Sequence, residues 1–473
     1  MVPLVLLIIL SLALIMMIVL TYSVGSMIRH NRDEEAQQEK VSLIQSSLYA
    51  GIVVAILAII TSIYFMVRGT VYEGHIMEWL NIVVRVMHIT FGIAWIGASF
   101  YFVFLENALN RTDNIRDELA GNLWAVHGGG FYYLEKYKVA PKTIPKSLHW
   151  FKYEAYFTWI SGFALLFIIY YFNASAMLID TNVMKLTTTQ GIFISIGSLI
   201  SAWIIYDQLC KSALRNKPVL FALIGIALLV GFAYFYSHVF SGRAAYIHFG
   251  AMLGSIMVAN VFFVIIPSQK AMVNAAKKGE LPDPSKARPD DPVGRGKNAL
   301  RRSIHNNYFT LPVLFVMVSN HFPSTFSNKY QWAVLAAISI GAAGIKHWLN
   351  LREQGKISVW IMPASVILLL AVAYVTAPRP SNAKCDKIDF VQVNTIIQLR
   401  CIQCHSSKPT DNVYTTAPNG VKYDTPLEIV AKKDLIMQRV AITKTMPQNN
   451  KTNMTPEERD IIRCWVEQGA TLK

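Results

Sequence analysis

Charge is what this chain of 473 residues has least of: Asp, Glu, Lys and Arg make up 15% of it, against 53% hydrophobic residues. With so few charges and a positive mean hydropathy, the composition excludes a purely water-soluble domain and reads as an integral membrane protein with a soluble annex. Cysteine is also scarce, at five residues. No second ligand pair accompanies the single CxxC, which argues against a structural zinc site. No GxGxxG follows a predicted strand, so a dinucleotide site is not expected. The first apolar run has no basic residues before it and no small-x-small site after it, so it does not read as a cleaved signal peptide. No internal repeat stands out.

What the chain has in abundance is apolar runs. Ten are long enough to span a bilayer, at roughly 3–23, 44–66, 79–105, 151–172, 189–209, 218–238, 244–267, 307–321, 331–350 and 357–376. The run 307–321 is short and contains Pro312. Residues 268–306, with Pro282, Pro284, Pro289, Pro292, Gly294 and Gly296 among many charges, read as a mobile loop between two halves of a bundle.

After about residue 381 the chain turns polar and lysine-rich, and Cys401-Ile402-Gln403-Cys404-His405 stands in it. CxxCH is the attachment signature of a c-type haem: two thiols form thioethers to the vinyl groups, and the adjacent imidazole becomes an axial iron ligand. The competing use of the motif is a redox or zinc CxxC. A second axial ligand is commonly methionine, and Met446 is the candidate, because Pro447 after it favours an extended loop. Met437 lies in a predicted helix, and Met454 just precedes the capped helix start Thr455-Pro456-Glu457-Glu458, so both read as packing residues. Cys385 and Cys464 are left over in the tail, as a disulfide in an oxidising compartment or as two buried thiols. The fold class is thus all-α: a polytopic helix bundle of about ten spans with a small class I cytochrome c domain.

Haem is attached to CxxCH outside the cytoplasmic membrane of bacteria, so the tail is expected to be periplasmic. Counting back through ten spans puts the N-terminus outside as well. Loops 24–43, 106–150, 210–217, 268–306 and 351–356 then lie inside, and they hold most of the basic loop residues, Arg301 and Arg302 among them. That is the positive-inside pattern. The net charge of +15 is therefore topology, and no nucleic-acid partner is expected.

Ionisable groups within spans are costly and face a cavity or the bundle interior. Arg85, His88, Gly92, Trp95, Ser99, Phe102 and Glu106 recur at spacings of three and four, so they share one helix face. Such a stripe suits a pocket for a flat polar ligand or a haem, or a plain helix contact with snorkelling ends. The histidines fall into two layers: His88, His238, His248 and His321 with Arg85 and Arg243 toward the periplasm, and His127, His149, His305 and His347 with Lys346 toward the cytoplasm. They read either as a substrate site or as bis-histidine ligands of b-type haem. His127-Gly128-Gly129-Gly130 is a glycine-rich turn that admits close backbone approach. Gly250 and Gly254 form a small-xxx-small packing face. Asn260, His305, Asn306 and Asn307 offer groups suited to a heterocyclic imide.

From Met77 to about residue 378 the chain resembles the membrane domain of bacterial membrane-bound urate oxidases (urate hydroxylases). The likeness rests on Glu78-Trp79-Leu80, the run Arg85 to Phe102, His127-Gly128-Gly129-Gly130-Phe131-Tyr132, Arg243 to His248, His305 to Pro312, and Ser319-Asn320-His321-Phe322-Pro323. The family's C-terminal cytochrome c domain is matched from Cys401 to Gly469. The division this implies is an accessory two-helix hairpin over 1–70, a membrane domain of about eight spans over 71–378 and a periplasmic cytochrome c domain over 379–473, in the bacterial inner membrane.

The resemblance implies oxidation of urate, or a similar purine, to 5-hydroxyisourate, with electrons passed to the fused c-type haem. Onward partners would be a respiratory cytochrome c or a terminal oxidase. Arg85 or Arg243 would hold the urate anion, and His88, His127 or His248 would take a proton. Trp95, Ser99, His305, Asn307 and His321 complete the candidate substrate and proton-transfer set. The rival functions are quinol-to-cytochrome c electron transfer, with b-type haem, and a transporter with a redox annex.

Overall fold

The computed structural model describes residues 72–472, with gaps at 146, 282–287, 378–384, 412–413 and 415, and part of 51–70. The expected spans 3–23 and 44–66, and with them the accessory hairpin 1–70, lie wholly or largely outside the described residues. Val83–Lys473 forms one compact unit, and every contact below belongs to it.

The unit is mostly helical. Helix α1, Glu73–Ala108, is followed by strands β1, Leu119–His127, and β2, Gly130–Tyr137. Then come α2, Tyr153–Tyr171; α3, Thr188–Lys211; α4, Pro218–Val239; and α5, Gly242–Lys278. Helix α6, Pro292–Ser319, α7, Gln331–Glu353, and α8, Ile361–Thr376, complete the bundle. Among the described residues six of these helices (α1 to α5 and α7) are long and apolar enough to cross a membrane, and α8 is a shorter apolar helix of 16 residues. Of the expected spans that fall on described residues, 307–321 lies in α6 and 357–376 in α8, and neither is among the six. Helix α6 is not among the six, because its first half carries Arg295, Lys297, Arg301 and Arg302.

Local chemistry sets the helix ends. Thr187 caps α3 by accepting from the Gln190 amide at 3.2 Å, while the Gln190 side chain accepts from the Thr187 amide at 2.9 Å. Asp291 accepts from the Gly294 amide ahead of Pro292, which presets the first turn of α6. The expected loop 268–306 is thus corrected to a connector of 279–291, with helix on both sides. Both ends had read as linker because their charge density and prolines outweigh their helical periodicity. Pro312 lies inside α6 and is buried there. It removes one helical donor, and the helix continues because neighbouring helices pack both of its sides.

The all-α expectation also needs a correction. Gly128 and Gly129 have φ of 59° and 80°, both in the left-handed region that glycine adopts freely. They close a two-residue hairpin in which His127 pairs with Gly130 and Trp124 with Tyr133. The glycine run is a hairpin tip, and a Cβ at Gly128 or Gly129 would meet nothing within 4 Å.

Two helices of the bundle contain π turns: Leu166–Tyr171 ends α2, and Asn260–Ile265 interrupts α5. An inserted residue re-aims the side chains around it, and such turns are frequent at functional sites. Close packing of α5 on α6 depends on Gly250, where a Cβ would lie 2.6 Å from Val316 Cγ1; Gly254 has no such neighbour.

The tail has its own core of Val393, Ile397, Ile429, Ile436, Ile462 and Trp465. Each buried side chain of this size contributes about 1.5–3 kcal/mol. Its helices include α9, Phe390–Arg400, α10, Pro426–Ala431, and α11, Pro456–Glu467. The Thr425/Glu428 and Thr455/Glu458 pairs form capping boxes on α10 and α11. Cys385 and Cys464 form a disulfide with a sequence separation of 79. Tying down a loop of that length stabilises the tail by about 4 kcal/mol in the chain-entropy account.

Candidate functional site

The α1 stripe does not form one pocket. From Arg85 to Glu106 it runs about 32 Å at 1.5 Å per residue, so its members serve different levels. His88 Nδ1 donates to the Thr158 carbonyl at 2.9 Å and lies 3.3 Å from Ser161 Oγ. Gly162 of α2 makes room for that ring, since a Cβ there would sit 2.8 Å from His88 Cε1. Trp95 packs against two apolar clusters, Ser99 is half-buried, and Phe102 meets Phe151 edge-on. Glu106 pairs with Arg111 at 3.0 Å and with Lys136 of the hairpin.

One polar layer forms at the bundle end that bears the tail. Tyr170, from the π turn of α2, is 3% exposed. Its hydroxyl lies within electrostatic reach of Arg243, Arg85 and the Asn320 amide. Arg243 also donates to the Asn320 carbonyl at 3.2 Å. His248 of α5 is fully buried among the rings of Phe240, Tyr170, Tyr236 and Tyr171, at centroid distances of 4.7, 5.9, 6.1 and 6.3 Å. Its Nδ1 bonds the Ala244 carbonyl at 2.7 Å. A carbonyl only accepts, so Nδ1 carries the proton and Nε2 presents a lone pair. That Nε2 is buried and has no hydrogen-bond partner. Tyr171 bonds Ser195 at 2.7 Å, and Tyr236 donates to Ser198 at 3.1 Å. His238, stacked on Tyr234, and His321, in the turn after α6, are exposed at this end.

A second polar layer lies at the far end. Arg302 of α6, fully buried, donates to Asp207 at 2.6 Å and to Asn260 at 3.1 Å, and Asp207 also pairs with Lys211 at 2.6 Å. Asn260 donates to Tyr206 at 3.1 Å and to Asn306 at 2.8 Å, and Tyr206 meets His305 Nδ1 at 2.8 Å. Tyr308 reaches His347 Nδ1 at 2.6 Å. Arg302 is thus a core residue and not the loop cation its sequence context suggests. His127 and His149 are exposed on the 109–150 segment and do not join this layer.

The tail sits on the first layer through direct hydrogen bonds. Gln448 Nε2 donates to the Ala176 carbonyl at 2.7 Å, and Asn449 Nδ2 to the Ala176 and Ile179 carbonyls at 3.1 and 2.9 Å. These acceptors follow the Tyr170 and Tyr171 turn directly. Tyr414 donates to Gln448 Oε1 at 2.5 Å. Burial pushes the Tyr414 hydroxyl pKa up, Cys404 adds to the rise, and Arg243 opposes it. Tyr414 is therefore influenced by both the CxxCH motif and the arginine of the first layer.

The donor set of the tail suits a covalent haem. Cys401 and Cys404 are free thiols beside the closed Cys385–Cys464 bond. Burial pushes Cys401 up to about 12 and Cys404 up to about 11. His405 Nδ1 donates to the Val421 carbonyl at 3.0 Å, which leaves Nε2 for a ligand, and burial lowers its pKa toward the neutral, ligating form. Met446 packs against the tail core. Its amide donates to the Arg439 carbonyl at 3.0 Å, and its carbonyl accepts from Arg459 at 2.7 Å. Met454 is 2% exposed in the core and Met437 lies in a helical turn. Among the described residues the one group of three metal-ligand types is Cys385, Cys464 and Glu467, and its two sulfurs are bonded to each other.

Tyr170, Tyr171 and Tyr236 escaped the sequence reading because aromatic residues in an apolar run look like packing. Tyr414, Gln448 and Asn449 carried no signal, since nothing local marks a docking contact. Asp207, an acid inside an apolar run, was the one missed residue with a legible cue. A family model described as urate oxidase N-terminal matches residues 74–377. No curated protein and no solved structure matches the chain.

Proposed function

The chain belongs to the urate oxidase N-terminal family, and from that premise we propose that it oxidises urate in the membrane and hands the electrons to a c-type haem on its own tail. The overall change is urate plus water to 5-hydroxyisourate, two electrons and two protons. The observation that carries the coupling is the tail contact: Gln448 and Asn449, next to Met446, are hydrogen-bonded to the turn that follows Tyr170 and Tyr171.

In this reading Arg243 and Arg85 bind the urate anion, since a guanidinium fork matches flat imide edges. The Tyr170 hydroxyl and the Asn320 amide orient it. His248 accepts a proton at Nε2 as C5 is oxidised, with Nδ1 held by Ala244. Water adds at C5 and loses the second proton. Cys401 and Cys404 would attach the haem, and His405 and Met446 would ligate its iron. Bound there, the haem supplies a one-electron acceptor, so two turns of transfer complete each oxidation. His127 is set aside as the proton acceptor because it lies exposed at a hairpin tip. The b-type haem alternative is disfavoured at His248, because a porphyrin plane on Nε2 would displace the enclosing rings. The tail, and with it the N-terminus, would face the periplasm of a bacterial inner membrane.

The test is anaerobic addition of urate to the oxidised, purified full chain, followed by its visible spectrum. A reduced c-type spectrum with urate consumed is expected. Reduction by dithionite but not by urate would overturn the reading, and reduction by quinol alone would favour the electron-transfer alternative.

A further inference from the structure

The far end of the bundle holds polar atoms that the far-end hydrogen-bond network does not use. Lys346 of α7 is fully buried, and its Nζ has no hydrogen-bond partner. Its one described contact is the face of Phe100 from α1, 3.7 Å from the ring centroid. The nearest acid acting on it is Glu353, two turns on, which accepts from Asn107 at 2.9 Å and lies beyond ion-pair distance of Lys346. Asn307 of α6 is fully buried with both Oδ1 and Nδ2 unpartnered, and Asn350 Oδ1 is likewise buried and unpartnered.

These groups sit within about one helical turn of each other along α6 and α7. Tyr308 bonds His347 at 2.6 Å, so Asn307 and Lys346, each one residue before a member of that pair, lie at the same height of α6 and α7. Asn350 is one turn from Lys346 on the same helix face. A buried ammonium without an anion is costly, and an aromatic face offsets only part of that cost. Unpaired amide atoms in a dry interior add to it.

The unpaired set defines its complement. The ammonium and the Asn307 N–H groups require acceptors and negative charge, whereas the Asn307 and Asn350 carbonyls require N–H or O–H donors. Chloride or sulfate would leave both carbonyls unpaired. A flat anionic lactam carries adjacent N–H and C=O edges as well as charge. We propose that Lys346, Asn307 and Asn350 form a second binding position for an anionic lactam, the chemical class of urate. It lies about 22 Å, at 1.5 Å per residue, from the tail end of α7, so it is separate from the Arg243 layer. The inference rests on the urate reading for the choice of probe alone.

The experiment is equilibrium dialysis of radiolabelled urate against the full chain, with the haem held reduced by dithionite so that nothing turns over. About two equivalents are expected per wild-type chain, and about one for Lys346→Met, which suits an apolar interior. Asn307→Asp should also bind about one, because its carboxylate would neutralise the ammonium. One equivalent on wild type overturns the proposal without any variant, as do two retained on both variants. Urate-driven haem reduction, measured on the same preparation, reports separately on the oxidase reading. Two equivalents without reduction would keep this site and remove that reading, and one equivalent with reduction would do the reverse.

Discussion

The two polar layers are built differently. At the tail end the buried groups are uncharged: a cage of tyrosines, two serines and an imidazole whose Nε2 is free. At the far end they are ions, with Asp207 held between Arg302 and Lys211 and with Lys346 unpaired. A poised lone pair among neutral hydroxyls suits proton transfer during chemistry. A closed ion network suits rigidity, because an ion pair in a low-dielectric interior persists only while both members stay in place.

The largest expected effect separates the layers by function. His248→Gln should lower the rate of urate-driven haem reduction about 10²–10⁴-fold, whereas His305→Gln, in the far layer, should change it less than about tenfold. Equal losses in stopped-flow traces would erase the distinction drawn here.

The converse holds for stability. Arg302→Met leaves Asp207 buried with a single exposed partner, and losing one member of a buried pair costs about 3–5 kcal/mol. Thermal unfolding in detergent should report that loss, and Asp207→Asn combined with it should recover part. A melting temperature unmoved by Arg302→Met would mean that the network is hydrated.

The contact between tail and bundle gives a smaller, kinetic effect. Replacing Gln448 and Asn449 with Ala removes three hydrogen bonds to Ala176 and Ile179. Urate-driven haem reduction should slow about tenfold, the scale of one or two lost hydrogen bonds, while dithionite reduces the haem as before. An unchanged rate would show that the tail docks by other contacts.

The smallest effect lies within the tail. Burial raises the Glu458 pKa, but its hydrogen bonds to Arg400 and the Thr455 cap outweigh that and hold it below the usual glutamate range. A depressed carboxylate stabilises above its unfolded pKa and loses that contribution as pH falls through the folded one. Trp465 fluorescence should therefore report acid unfolding at higher pH for Glu458→Gln, by no more than the roughly 1 kcal/mol of a part-exposed pair. Coincident acid curves would assign the pair no role.

Legibility followed range along the chain. Capping boxes such as Thr455 with Glu458 are read within four residues, and the structure has them. The hairpin was missed although Gly128-Gly129 is a hairpin signal, because the whole of 106–150 read as a charged loop between two spans. The 268–306 segment was misread because local charge density says nothing about the neighbours that bury Arg302. Histidine layers were visible as span-end positions, yet which imidazole keeps a free nitrogen depends on the carbonyl beside it.

Composition and apolar run length were enough to set the class of protein and the places where most helices lie, because each depends on groups a few residues apart. The π turns that aim Tyr170 and Asn260, the enclosure of His248, the pairing of Arg302 with Asp207 across 95 residues and the seat of Gln448 on Ala176 were decided by tertiary structure alone. Each of these needs a partner from another helix, and burial in a low-dielectric interior makes that partner's presence or absence decisive.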